Sequence, residues 1–212
     1  QNFGKLVPLS GFFQKATFPC DYGVHSPPLS LSPLNLHFFG IVVVGAPHSG
    51  KSTFIHSFFG GEEPFVETFA AKLQKHRKCV NGVNVGFQVW ELSGRERFKI
   101  MLPMYLRHTL AVIVTFDPWD RYSLETTRGL IRAARDKTNN ADIILCSTKQ
   151  DKKGTARLET YEFTKKRLED FLQKECPSLR IQEISAKTNP KSVADIFQAL
   201  VQNRIDKLNQ FI

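Results

Sequence analysis

The chain has 212 residues, of which 42% are hydrophobic and 23% charged, as is ordinary for a globular protein with one sizeable core. This length suits one domain with an appendage better than two full domains. No apolar run approaches the roughly 20 residues that span a bilayer, so no transmembrane segment is predicted. The net charge of +9 is compatible with a polyanionic partner such as RNA, and equally with a generally basic surface.

The four cysteines are widely separated and form no CxxC pair. We therefore expect reduced thiols and no metal site built from them. The last residues contain no cysteine, so no prenyl lipid anchor is predicted there. These features favour a soluble intracellular protein, in the cytoplasm, in a cytoskeletal or ciliary assembly, or in an organelle matrix.

Residues 1–37 are rich in Pro, Ser and Phe and show neither a helical nor a strand period. A segment of this composition cannot bury a core of its own. It predicts an extended N-terminal arm, which lies either on its own domain or on a partner in a larger assembly.

From Phe38 onward, strand and helix patterns alternate. A continuous apolar run over 38–44 is typical of a strand buried on both faces. The later elements are predicted as a helix over 53–59, a hairpin of strands 72–80 and 83–90, a strand over 110–116, a helix over 123–134, a strand over 142–147, a helix over 161–174, a strand over 179–184 and a helix over 193–208. This alternation predicts an α/β fold with a mostly parallel six-stranded sheet and helices on both faces.

The turn after the first strand reads GAPHSGKS and fits GxxxxGK[ST] completely, between a buried strand and a helix. Main-chain N–H groups of such a P-loop converge on phosphates, and Gly45 and Gly50 permit backbone geometry that a Cβ would obstruct. Lys51 supplies a cation to the β- and γ-phosphates, and Ser52 supplies a hydroxyl ligand for Mg²⁺. The remaining predicted nucleotide contacts of this segment are His48, Ser49 and Thr53.

The segment 90–98 reads WELSGRERF and resembles switch II of the Ras/Rab small GTPases, usually written WDTAGQERF. The resemblance implies that Gly94 donates its N–H to the γ-phosphate and that Glu91, in place of the family's Asp, holds Mg²⁺ through water. Arg95 stands where the family has the glutamine that orients the attacking water. We therefore expect GTP hydrolysis, if it occurs, to be slow.

Thr68 lies at the distance before Glu91 that the resemblance implies for the switch I threonine, which engages Mg²⁺ and the γ-phosphate. An ordinary loop threonine is the alternative interpretation.

The segment TKQD at 148–151 resembles the guanine-reading NKxD motif. Asp151 would accept hydrogen bonds from N1–H and N2–H₂ of guanine, and the stem of Lys149 would lie along the base. Thr148 replaces the family's Asn, which implies weaker affinity or relaxed base choice. Ser185, Ala186 and Lys187 match the family's SAK motif, in which the alanine N–H meets guanine O6.

The resemblance covers residues 38–212 as one G domain and implies GTP or GDP with Mg²⁺ as cofactors. It also implies protein partners in a multi-subunit assembly, bound through the switch regions and the arm. Three hypotheses stay open: a nucleotide-dependent switch, a pseudo-GTPase scaffold that holds nucleotide as a structural element, and an RNA-associated organellar assembly factor. Asp117 and Asp120, beside Trp119, are interpreted as parts of a solvated loop.

Overall fold

The computed structural model describes residues 36–60, 68, 70–138, 140–154 and 158–209, without the side chains of 36–38, 97 and 98. Of the predicted arm, only residues 36 and 37 are described, and they belong to the first strand. The rest of that prediction lies outside the described residues.

The described residues form six strands and five α-helices. The strands are β1 (Leu36–Gly45), β2 (Ala71–Val80), β3 (Val83–Leu92), β4 (Ala111–Phe116), β5 (Asp142–Ser147) and β6 (Ile181–Glu183). The helices are α1 (Lys51–Phe59), α2 (Leu102–Leu106), α3 (Ser123–Lys137), α4 (Leu158–Glu175) and α5 (Pro190–Asn209). Two short 3₁₀ segments cover Glu96–Met101 and Gln150–Lys152.

The strands form one sheet in the order β2-β3-β1-β4-β5-β6. All neighbours are parallel except β2 and β3, which are antiparallel arms of the hairpin around Asn81-Gly82. The predicted fold class, a mostly parallel six-stranded sheet, is confirmed. Because the parallel strands end together, the loops that follow β1, β3, β4 and β5 meet at one edge of the sheet.

Helices cover both faces of the sheet, as predicted. On one face, α1 and α5 bury an aromatic cluster in which Phe58 and Phe197 stack with ring centroids 3.9 Å apart, beside Phe54 and Phe87. On the other face, α2, α3 and α4 contribute buried leucines to a second cluster. Each fully buried phenylalanine contributes about 2–3 kcal/mol, so α1, the helix that follows the P-loop, is firmly anchored to the sheet.

Several element boundaries differ from those predicted. Helix α1 begins at Lys51 because Gly50 has φ +88° and turns the chain directly into the helix. Helix α2 was not predicted, since five residues are too short for a 3.6-residue period to be recognised. Strand β6 is shorter than predicted because only Ile181–Glu183 pair with β5.

Candidate nucleotide-binding site

The P-loop crosses from β1 to α1 at the edge where the parallel strands end. A Cβ on Gly45 would lie 2.2 Å from Thr115 Oγ1 and 2.4 Å from Ser49 Oγ, so only glycine fits there. The two hydroxyls lie 2.6 Å apart and are buried. This hydrogen bond connects the loop to β4, so Ser49 stabilises the conformation of the loop.

Lys51 is buried at the mouth of this loop. Its ammonium donates to the carbonyl oxygens of Gly45 at 3.2 Å and Ala46 at 2.8 Å. Both acceptors are uncharged, and a hydrogen bond to an anion is roughly twice as strong as one to a neutral acceptor. The lysine is therefore placed to exchange these carbonyls for phosphate oxygens.

Three oxygen-bearing side chains meet beside Lys51. Ser52 Oγ donates to Glu91 Oε1 at 2.5 Å, and Thr68 Oγ1 donates to the same oxygen at 2.9 Å. The carboxylate is almost fully buried, and its extra methylene relative to aspartate lets it reach both hydroxyls. Carboxylate and hydroxyl oxygens suit Mg²⁺. The residues present therefore fit the predicted metal: Ser52, Thr68 and Glu91 would hold it, and it would neutralise negative charge on bound phosphates.

The main chain of switch II packs directly on the P-loop. A Cβ on Gly94 would lie 2.3 Å from Pro47 N and 2.4 Å from Ala46 C, so no side chain fits between the two segments. Arg95 follows it and is partly buried. Both residues border a cavity of about 420 Å³ on the P-loop. The other predicted site residues that line this cavity are His48, Gly50, Lys51, Ser52, Thr53, Thr68, Glu91 and Lys149.

The TKQD segment is held by buried hydrogen bonds. The Thr148 hydroxyl lies 2.9 Å from Ser49 O and 3.1 Å from Phe116 O, so it is directed at main-chain carbonyls, one of them in the P-loop. Asp151 Oδ1 accepts from Ser185 Oγ at 2.7 Å, which ties the TKQD segment to the SAK segment. In that segment Ala186 is partly buried and Lys187 is exposed.

Two functional candidates were missed in the sequence. Asp117 is buried and its Oδ2 lies 2.6 Å from Lys149 Nζ, so its interpretation as part of a solvated loop was wrong. Trp119 donates from Nε1 to Lys149 O at 3.0 Å. The signal available was position, since Asp117 follows buried β4 directly and therefore lies at the same sheet edge as the P-loop.

A cluster around Glu183 lies behind the TKQD segment. Lys153 and Lys165 donate to its two carboxylate oxygens at 2.7 and 2.6 Å, and Tyr161 Oη donates to Oε1 at 3.0 Å. The hydrogen bonds from Lys153 and Lys165, in that order, lower the pKa of Glu183 to about 2. The carboxylate therefore stays ionised across the physiological range.

Two further observations concern the expectations about the cysteines and about membrane-spanning segments. Among the described cysteines, Cys79, Cys146 and Cys176 carry free thiols. No helix in the described part of the chain has the length and apolarity needed to cross a membrane.

A glycine-bounded loop between a buried strand and a helix, with a buried lysine at its mouth, defines a P-loop nucleotide-binding fold. A profile of the Ras family matches residues 40–206, and the chain belongs to that family. It is 29% identical over 167 residues to the Ras-related protein RABF2a of Arabidopsis thaliana, across 76% of this chain and 78% of that protein. It is 27% identical over 176 residues to the Ras-like GTP-binding protein RYL2 of Yarrowia lipolytica, across 79% and 81%. The predicted membership of the Ras/Rab-like small GTPases is confirmed.

Proposed function

We propose that this chain binds GTP and GDP with Mg²⁺ and acts as a slow nucleotide-dependent switch. The observation that carries the proposal is the meeting of Ser52, Thr68 and Glu91 at one carboxylate oxygen. These residues come from the P-loop helix, the switch I region and switch II. Their convergence is what a switch requires, because bound nucleotide can then order two separate segments and its hydrolysis can release them.

The base would be read by Asp151. Its carboxylate is oriented by Ser185, and a carboxylate accepts two hydrogen bonds from guanine that adenine cannot donate. Thr148 keeps a contact with the P-loop main chain. Guanine preference is therefore expected in spite of the missing asparagine.

Hydrolysis is expected to be slow because of Arg95. A guanidinium has five N–H donors and no acceptor, so it cannot accept a hydrogen bond from the attacking water as a glutamine carbonyl does. Its positive charge lies at the cavity that contains Lys51, where it would offset negative charge on the phosphates.

Protein partners would bind beside switch II. Ile100, Met104 and Leu73 expose 86%, 60% and 36% of their surfaces, close in sequence or register to the packed rings of Trp90 and Tyr105. Exposed apolar side chains grouped in this way mark interaction surfaces. Contact of the N-terminal arm with partners and RNA binding by the basic surface stay predictions, the second tested by salt-dependent binding to RNA.

The second candidate function is a pseudo-GTPase scaffold. It is favoured by Arg95, which borders the cavity on the P-loop and whose guanidinium cannot accept a hydrogen bond from an attacking water. In such a protein the nucleotide would be a structural element that neither exchanges nor turns over.

Nucleotide content and single-turnover hydrolysis separate these functions. The purified chain is denatured and the released nucleotide identified by chromatography, and GTP hydrolysis is then followed with and without Mg²⁺. A switch exchanges nucleotide and hydrolyses GTP slowly in a Mg²⁺-dependent manner, whereas a scaffold retains guanine nucleotide unchanged. No affinity for any nucleoside diphosphate or triphosphate would contradict both. Asp151→Ala should abolish the preference for guanine over adenine, and a variant that still rejects ATP would exclude its role in reading the base.

A further inference from the structure

We propose that Trp119 is a positioning residue for guanine recognition, which acts by holding the main chain of Lys149. The proposal rests on the proposed function, because it concerns how the same site distinguishes guanine from adenine. Trp119 lies in the loop between β4 and α3.

Trp119 belongs to a closed set of hydrogen bonds around Lys149. Its indole Nε1 donates to Lys149 O at 3.0 Å. Its main-chain N–H donates to Asp117 Oδ1 at 3.0 Å, and Asp117 Oδ2 accepts from Lys149 Nζ at 2.6 Å. The loop between β4 and α3 thus holds Lys149 at two points, its main-chain carbonyl and its ammonium group.

Lys149 needs this support because of its backbone conformation. It has φ 58° and ψ 37°, in the left-handed region that is unfavourable for a residue with a Cβ. Such a conformation persists only where the surroundings impose it. Asp151 comes two residues later, so the direction of its carboxylate depends on how the Lys149 main chain is held.

The substitution at Thr148 increases that dependence. The family's asparagine offers two N–H donors and a carbonyl acceptor, whereas the Thr148 hydroxyl has a single hydrogen for its two nearby carbonyls, Ser49 O and Phe116 O. Thr148 is the first residue of the TKQD segment, called the base-reading segment from here on, and it therefore has fewer hydrogen bonds available. The hydrogen bond from Trp119 Nε1 to Lys149 O adds one to the next residue of the segment.

The indole is itself held in place by helix α4. Its ring packs against Tyr161 with ring centroids 4.9 Å apart. Tyr161 Oη donates to Glu183 Oε1 at 3.0 Å and lies 3.2 Å from Gln150 Oε1, so the tyrosine ring is itself held in a fixed orientation. The Thr164 hydroxyl donates to the carbonyl of Pro118, which fastens the same loop to α4.

The test is Trp119→Phe, which keeps an aromatic ring against Tyr161 and removes the N–H donor. We expect the affinity for GDP to fall about three- to tenfold, which is the change in affinity that corresponds to the net free energy of one hydrogen bond. The affinity for ADP should be unchanged, because ADP is held through its phosphates. Both are measured by fluorescence titration of the full chain with N-methylanthraniloyl-labelled GDP and ADP in the presence of Mg²⁺.

Two further variants make the test decisive. Tyr122→Phe removes a hydroxyl from a 91% exposed side chain in the same loop, and should leave both affinities unchanged. Tyr161→Leu removes the ring against which the indole packs, so it should loosen the hydrogen bond from Trp119 Nε1 to Lys149 O and lower the GDP affinity by a smaller factor. It decides the question if Trp119→Phe does not fold.

The outcomes separate the inference from the proposed function. If the wild-type chain prefers GDP and the Trp119 and Tyr161 variants keep the wild-type ratio of affinities, the positioning role is overturned. Equal losses for GDP and ADP would also overturn it, since they indicate a general structural role. A wild-type chain without guanine preference would overturn the proposed base reading itself, and would be seen before any variant is made.

Discussion

Switch II and the base-reading segment lie at the same edge of the sheet but are held in different ways. In the base-reading segment (148–151), Thr148 contacts a main-chain carbonyl at 2.9 Å and Lys149 contacts a carboxylate at 2.6 Å. Asp151 accepts a hydrogen bond from a serine hydroxyl at 2.7 Å. Switch II instead touches the P-loop through the bare backbone of Gly94. Farther along, Ile100 and Met104 are largely exposed to solvent.

On the proposed function, this difference predicts that nucleotide recognition and switching can be separated by mutation. The base-reading side, which comprises residues 148–151 and their hydrogen-bond partners, is fixed by buried polar contacts that cost free energy to break. On the switch side, residues 91–104, buried Glu91 bonds to Ser52 and Thr68, whereas Ile100 and Met104 farther along are largely exposed, so this later part of the segment can open at low cost. The substitutions at Glu91 and Arg95 fall on the switch side, so they bear on hydrolysis more than on binding.

The largest expected effect is that of Lys51→Ala, which removes a group that both sides depend on. Loss of a buried cation that faces phosphate should cost about 3 kcal/mol, equivalent to a loss of about 100-fold or more in affinity for GDP. The readout is the nucleotide retained through purification. Lys207→Ala, which removes an exposed ion pair with Asp142, is the matched control and should retain nucleotide normally. Unchanged nucleotide content in the Lys51 variant would mean that the P-loop assignment is wrong.

Gly94→Ala should break the switch side alone. The added methyl group would lie 2.3 Å from Pro47 N, and overpacking of this kind costs about 2 kcal/mol, or about thirtyfold. We expect affinity for non-hydrolysable GTP analogues to fall by that factor while affinity for GDP is retained, as measured by competition titration. Gly129→Ala on α3 is the control, because a Cβ there meets nothing within 4 Å. Equal losses for GTP analogues and GDP would show that the two sides are not separable.

Arg95→Gln restores the water-orienting group that the family uses. If Glu91 supports the metal, the single-turnover rate of GTP hydrolysis should rise about tenfold, with little change in GDP affinity. Arg107→Gln, at the exposed end of α2, should leave the rate unchanged. A rate that does not rise would shift the explanation for slow hydrolysis to Glu91 and its hydrogen bond with Ser52.

The sequence predicted the P-loop because its determinants are local. Gly45, Gly50, Lys51 and Ser52 lie within eight residues, and the buried strand before them is recognisable from composition alone. The six-stranded sheet followed from the same regularity. Helix α2 is a single short turn and leaves no periodic pattern.

The supports of the base-reading segment could not be predicted in this way. Lys149 and Asp117 are 32 residues apart, and Thr148 contacts Ser49 across 99 residues. No local pattern specifies such pairs, because they depend on which strands are neighbours in the sheet. The interpretation of Asp117 as part of a solvated loop is wrong for this reason, and its position directly after buried β4 is the better guide.

The smallest expected effect concerns the outer support of the base-reading side, and Glu183→Gln tests it. Ionised Glu183 binds Lys153 and Lys165, and its pKa is lowered from 4.5 to about 2. Because the folded pKa lies below the unfolded one, this stabilisation is fully present above about pH 5 and is lost as the pH falls towards 2. The side chain is 34% exposed, so solvent screening reduces the contribution to about 1 kcal/mol. Urea unfolding at pH 7 should show that loss in the variant, and the difference from wild type should shrink at pH 3. A difference that is the same at both pH values would mean that the carboxylate's charge does not stabilise this side of the site.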